Sequence, residues 1–140
     1  IILDMQRFLK FNHFGLAVKN SLKTQQFLVS LDYLLYKDVL DSNQNIRAAL
    51  MQHQDHPDIE IISKINHEDV TPIDNILKHN SSATYHICYE CSDFETLKED
   101  FKKEKILFKQ VVKKMYSPLF EKDISFHITD AVGLIEIIHT

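Results

Sequence analysis

The stretches Asp58-Ile59-Glu60-Ile61-Ile62-Ser63-Lys64 and Leu134-Ile135-Glu136-Ile137-Ile138-His139-Thr140 each set a glutamate inside a run of isoleucines. Such a density of β-branched residues builds a strand. Alternation then sends Glu60 and Ile62 to one face and Ile59 and Ile61 to the other, and it pairs Glu136 with Ile138 in the same way. A carboxylate among isoleucines is costly unless it faces water, is paired or ligates a metal.

The same order of elements runs up to each stretch. Phe11 to Lys19 and Thr84 to Cys91 read as opening strands, and each carries a histidine, His13 and His86. Asn20-Ser21 signals a helix over Leu22 to Leu31 with Leu22, Phe27, Leu28 and Leu31 as its apolar face. Ser92, with Glu95 three residues on, signals another with Phe94, Leu97 and Phe101. Strands are expected at Tyr33 to Val39, Ile46 to Gln52 and Ile59 to Ile65, then at Ile106 to Val112, Ile124 to Thr129 and Leu134 to Ile138. The chain therefore reads as α+β, a βαβββ unit written twice, and an internal duplication is the simplest account. One domain over 1–140 is expected, with modules 11–65 and 84–140 joined by a linker, 66–83, that holds a helical turn around Ile73 to Lys78.

Composition excludes some functions. A net charge of -4 and a pI near 6.0 offer no basic stripe for nucleic acid. No apolar run reaches the roughly 18 residues of a membrane span, and no signal peptide is visible. Cys88 and Cys91, three apart on a strand, leave opposite faces and read as free thiols of a reducing, cytoplasmic compartment.

His13, Glu60, His86 and Glu136 gain meaning as a set. Singly, each is read more simply as a structural or surface residue. If the two modules pack about a pseudo-twofold axis, they converge into two imidazoles and two carboxylates. That donor set suits one divalent ion, Zn, Ni, Co, Mn or Fe, with positions left for water or substrate.

Asn12-His13-Phe14-Gly15-Leu16-Ala17-Val18, Tyr85-His86-Ile87-Cys88-Tyr89-Glu90 and Gly133-Leu134-Ile135-Glu136-Ile137-Ile138 together resemble the signatures of the vicinal oxygen chelate superfamily, the glyoxalase/bleomycin-resistance fold. The nearest branch is that of methylmalonyl-CoA epimerase and the glyoxalase-like proteins. The resemblance implies a curled mixed sheet with a cup, metal ligands at His13, Glu60, His86 and Glu136, and pairing of two chains. It also implies proton abstraction next to a carbonyl on a small thioester, hemithioacetal or keto substrate, by an isomerase, epimerase or lyase. Glu136 is the first candidate base and Glu60 its counterpart. The epimerases carry glutamine where this chain has Glu60, whereas glyoxalase I enzymes carry glutamate.

The match breaks at Arg47, which stands where those epimerases carry a catalytic glutamate. An arginine is no base near neutral pH, but its fork could bind a substrate carboxylate or phosphate. Ser125 and His127, on one face of a strand, are further substrate-binding candidates, and Tyr116 to Glu121 is a candidate loop over the cup. Two rival readings stay open: a small-molecule binding or resistance protein without catalysis, and an Fe-dependent extradiol-type dioxygenase. A second carboxylate at Glu60 argues against the latter's 2-His-1-carboxylate triad.

Overall fold

The structure, a computed structural model, describes residues 7–140. The elements run β1 (Leu9–Val18), α1 (Ser21–Ser30), β2 (Leu34–Asp41), β3 (Ile46–Gln52), β4 (Asp58–Lys64), β5 (Ser82–Cys91), α2 (Phe94–Lys103), β6 (Lys109–Ser117), β7 (Lys122–Thr129) and β8 (Gly133–His139). They form one mixed sheet of eight strands in the order β2-β3-β4-β1-β5-β8-β7-β6. In each half the helix carries the chain across the sheet, so the opening strand pairs in parallel with the closing one: β1 with β4, β5 with β8. The remaining pairs within each half are antiparallel neighbours. The halves meet where β1 runs antiparallel to β5, and the pseudo-twofold relating them lies there. This is the curled, paired-βαβββ α+β sheet expected from the sequence.

The sheet has two differently clothed faces. On the outer face, Val18, Ala49, Met51 and Ile61 pack under α1 through Leu28, while Cys91 and Ile137 pack with Leu97 of α2. On the inner face, Ala17, Ile46, Ala48, Leu50 and Ile62 meet Ile73 and Leu77 of the segment between β4 and β5, and Leu119 of the β6–β7 turn. Cys88, Ile124, Phe126 and Ile138 continue that face in the second half.

Three local expectations need correction. Only Leu28 of the proposed α1 face is buried, and Leu22 and Phe27 are each 63% exposed. The helix touches the sheet along one line, through Ser21 and Leu28, two turns apart. The α2 cap is Asp93, whose carboxylate accepts from Thr96 N at 3.1 Å and Thr96 Oγ1 at 2.7 Å. Ser92 still belongs to the strand ladder, since its N–H donates to Phe8 O at 3.0 Å. The sixth strand starts at Lys109 instead of Ile106, because Lys105 turns left-handed (φ 55°) and Ile106 N closes α2 on Phe101 O at 2.9 Å. The helical turn expected around Ile73 to Lys78 is present, closed by Leu77 N donating to Ile73 O at 3.2 Å within a run of turns. Among the described residues no helix is long and apolar enough to cross a membrane.

Candidate metal centre

His13, Glu60, His86 and Glu136 come from the four central strands, β1, β4, β5 and β8. All four side chains reach the inner face: Glu60 lies opposite Leu50 and Glu136 opposite Phe126 in the antiparallel registers. None is more than 4% exposed. His13 Nε2 stands 3.0 Å from both Glu60 Oε1 and His86 Nε2, and 3.2 Å from Glu136 Oε1; His86 Nε2 is 3.2 Å from both carboxylates. The spacing is that of an ion's first sphere, since donors held at roughly 2.0–2.2 Å from an ion stand about 2.8–3.1 Å apart at right angles and about 3.3–3.6 Å apart in a tetrahedron. Glu136 Oε1, though this close to two imidazoles, has no hydrogen-bond partner in acceptable geometry. A buried oxygen left so is a donor still seeking a cation. Two carboxylates would also neutralise a dication with both imidazoles uncharged, so the residues present fit a divalent ion.

Without an ion, the same groups pull on one another. Burial works against charge on each of them, yet the carboxylates of Glu136 and Glu60 push His86 up to about 10. His13 is raised by the same partners. In the opposite sense, Glu60 and Glu136 are held below the usual carboxylate range by the imidazoles, against burial. The site is a charge trap that a dication or two protons can fill.

The surroundings hold the donors unequally. His13 Nδ1 lies 2.7 Å from Asn12 Oδ1, and Asn12 Nδ2 donates to Glu90 Oε2 at 3.2 Å. An Nδ1–H donating there leaves the Nε2 lone pair free for a metal. His86 Nδ1 has no such partner. Its ring instead lies against Gly15, where an added Cβ would sit 2.4 Å from Cε1. Phe120, from the β6–β7 turn, stacks on His13 with ring centres 5.0 Å apart and 16° between planes. Tyr85 and Phe126 flank His86 at 5.4 and 5.6 Å. Burial, with the two carboxylates nearby, lifts the Tyr85 phenol to about 12. Cys88, fully buried beside Glu136, has its thiol pushed well up by burial and that carboxylate.

The other site candidates lie elsewhere. Arg47 alternates with Ile46 and Ala48, so it projects from the outer face, where its Nε donates to Asp38 Oδ1 at 2.8 Å. Its fork is engaged on the wrong side of the sheet to meet a ligand at the cluster. Ser125 and His127 also face outward, beneath α2. Ser125 Oγ is 2.8 Å from His127 Nε2 and 2.7 Å from His139 Nε2, and His127 stacks on Phe108 at 4.4 Å. The structure brings neither to the metal ligands. Sequence reasoning passed over Gly15, Tyr85, Phe120 and the Asn12–Glu90 pair. Asn12, Gly15, Tyr85 and Glu90 stood within the quoted signatures without a role, and Phe120 within the proposed loop over the cup.

His127 yields a prediction of its own. Burial, then the charges of His139 and Lys98, depress it to about 4. The unfolded chain, with an ordinary value near 6.5, binds this proton first, so stability is lost as pH falls from about 6.5 to 4. Urea unfolding of the wild type and the His127→Gln variant should show a shallower decline over that window in the variant. Parallel curves would refute the assignment.

A cavity of about 440 Å³ is walled in part by Tyr85 and Phe126, the two rings that flank His86, and lies one side chain away from the cluster. The glyoxalase/bleomycin resistance protein/dioxygenase superfamily model matches residues 12–117. No curated protein matches by sequence. Among solved structures, a methylmalonyl-CoA epimerase from Mycobacterium tuberculosis is 15% identical with a TM-score of 0.76, covering 99% of this chain and 91% of its own. A hypothetical protein from Bacillus halodurans C-125 is 18% identical with a TM-score of 0.77, covering 94% of each chain. A methylmalonyl-CoA epimerase variant from Streptomyces coelicolor, in complex with 2-nitronate-propionyl-CoA, is 13% identical with a TM-score of 0.76, covering 95% of this chain and 98% of its own. At these identities the likeness is one of fold.

Proposed function

The chain belongs to the glyoxalase/bleomycin resistance protein/dioxygenase superfamily, and from that premise we propose a metal-dependent isomerase, epimerase or lyase. It would remove a proton next to a carbonyl of a small thioester, hemithioacetal or keto substrate. The observation that carries this reading is the convergence of His13, Glu60, His86 and Glu136, all buried, within 4.8 Å of one another. A divalent ion there supplies fixed positive charge where negative charge develops on the substrate oxygens. His13 and His86 hold their place as neutral donors. Glu136, through the carboxylate oxygen not committed to the ion, is the group suited to take the proton, and Glu60 stands across the cluster to return it.

Two features weigh against the rivals. A passive binding protein has no use for two carboxylates buried beyond water, each costly in the absence of a cation. An extradiol-type iron triad uses one carboxylate, and this cluster has two.

The test is metal content by plasma mass spectrometry on protein purified without chelator. About one divalent ion per chain is expected, falling to background in Glu60→Ala, Glu136→Ala and His86→Ala variants. Protein that stays metal-free and refuses Zn²⁺, Ni²⁺, Co²⁺, Mn²⁺ and Fe²⁺ would sink the reading.

A further inference from the structure

We propose that the group carried beyond the chelated oxygens of the substrate is uncharged and apolar, a branched aliphatic or aromatic moiety and not one bearing a carboxylate. The inference rests on the chelating role given above to the four-residue cluster. Its own basis is the cavity beside that cluster, walled by Val70, Pro72, Tyr85, Met115, Phe126 and Leu134. No lysine, arginine or histidine lines it.

The polar groups at its rim do not make up for that. Asn43 Nδ2 donates to Tyr116 O at 3.1 Å, Gln44 Nε2 donates to Asp41 Oδ2 at 2.9 Å, and Thr71 Oγ1 donates to Asp74 Oδ1 at 2.7 Å. One donor of each of these three rim side chains is therefore engaged, two of them by carboxylates, and Asn45 brings a further amide to the rim but no charge. An anionic substrate tail entering here would lose water and gain no cation, which is the unfavourable case for any buried charge. Arg47, the side chain whose fork would suit a carboxylate, is tied to Asp38 on the outer face. An apolar tail would instead bury its surface against the aliphatic and aromatic walls, the usual source of affinity in such a pocket.

The substrate class is a carbonyl compound whose acidic carbon bears hydrocarbon.

Hydroxamic acids test this directly, because their two adjacent oxygens chelate a divalent ion while the tail is varied. Binding of acetohydroxamate, isovaleryl hydroxamate, phenylacetohydroxamate and succinic monohydroxamate to Co²⁺-loaded protein would be followed by the visible spectrum of the ion. The apolar-tailed compounds should bind about tenfold or more tightly than acetohydroxamate, and the succinic compound no better than acetohydroxamate. A Val111→Arg variant, or Val112→Arg, placing a cation in the cavity wall, should raise succinic monohydroxamate affinity several-fold. Acetohydroxamate binding with no gain from apolar tails, or with preference for the carboxylate tail, overturns this inference alone. Absence of all binding to Co²⁺-loaded protein overturns the chelation reading and this inference together.

Discussion

Replacing Gly15 with alanine should empty the metal centre although no ligand is touched. The Cβ of an alanine would stand 2.4 Å from His86 Cε1, 2.6 Å from Nε2 and 2.7 Å from Nδ1, overlaps that no packed structure tolerates. Gly15 cannot retreat, since β1 is hydrogen-bonded on both sides, with Glu60 and His86 as its register partners. The His86 ring must swing away, and Tyr85, Phe126 and His13 crowd its other sides. Losing the orientation of one ligand costs about 10- to 100-fold in metal affinity, and losing the ligand outright costs more. Overpacking should add about 1–3 kcal/mol of destabilisation. Metal content of the Gly15→Ala variant should match that of His86→Ala. Adding His86→Ala to it should restore part of the lost stability, because the clash is gone. Full metal occupancy in Gly15→Ala would show that the ring can move aside without leaving the ion.

Stripping the ion should lower thermal stability by an amount that grows with pH. A ligand at 1,000 times its Kd adds about 4 kcal/mol to the folded state, which for a domain of this size is on the order of 10 °C in Tm. Without the ion, His86 is protonated, with a folded value raised to about 10 by Glu136 and Glu60 against burial. A raised value contributes stability that is complete below the unfolded value, near 6.5, and is lost as pH climbs towards 10. The metal-loaded protein has these nitrogens already deprotonated and escapes the loss. Melting curves with and without chelator at pH 6 and pH 9 should therefore diverge more at pH 9. Curves that coincide at both values would show that the four groups tolerate one another unaided.

The four clustered residues were legible because two periodicities agree on them. Alternation put Glu60 and Glu136 on defined faces, and matched His-to-Glu separations of 47 and 50 residues marked the repeated order of elements. Pairing supplies the rest, and pairing is long-range. Arg47 was misplaced because alternation says which residues share a face but not which face meets the ligand; the packing of Ala49 and Met51 under α1 settles that. The same holds for Ser125 and His127, which the structure places on the outer face beneath α2. The sixth strand slipped because an irregular edge strand, with register shifts at Gln110/Val112 and Val112/Met115, carries little alternation to read. Gly15 was quoted as part of a motif, but its contact is with a histidine 71 residues away in the chain (86 - 15 = 71), which no local pattern reports.

The unequal support of the two histidines has an evolutionary meaning. In a site built from two identical chains, every substitution appears twice, once on each side of the axis. Here the equivalents of Gly15 and Cys88, two residues past their histidines, have diverged, and only His13 leans on an asparagine, itself held by Glu90 of the other half. In one polypeptide the two halves of the sheet can change separately. One half could keep the ligand geometry while the other was reshaped around a new guest.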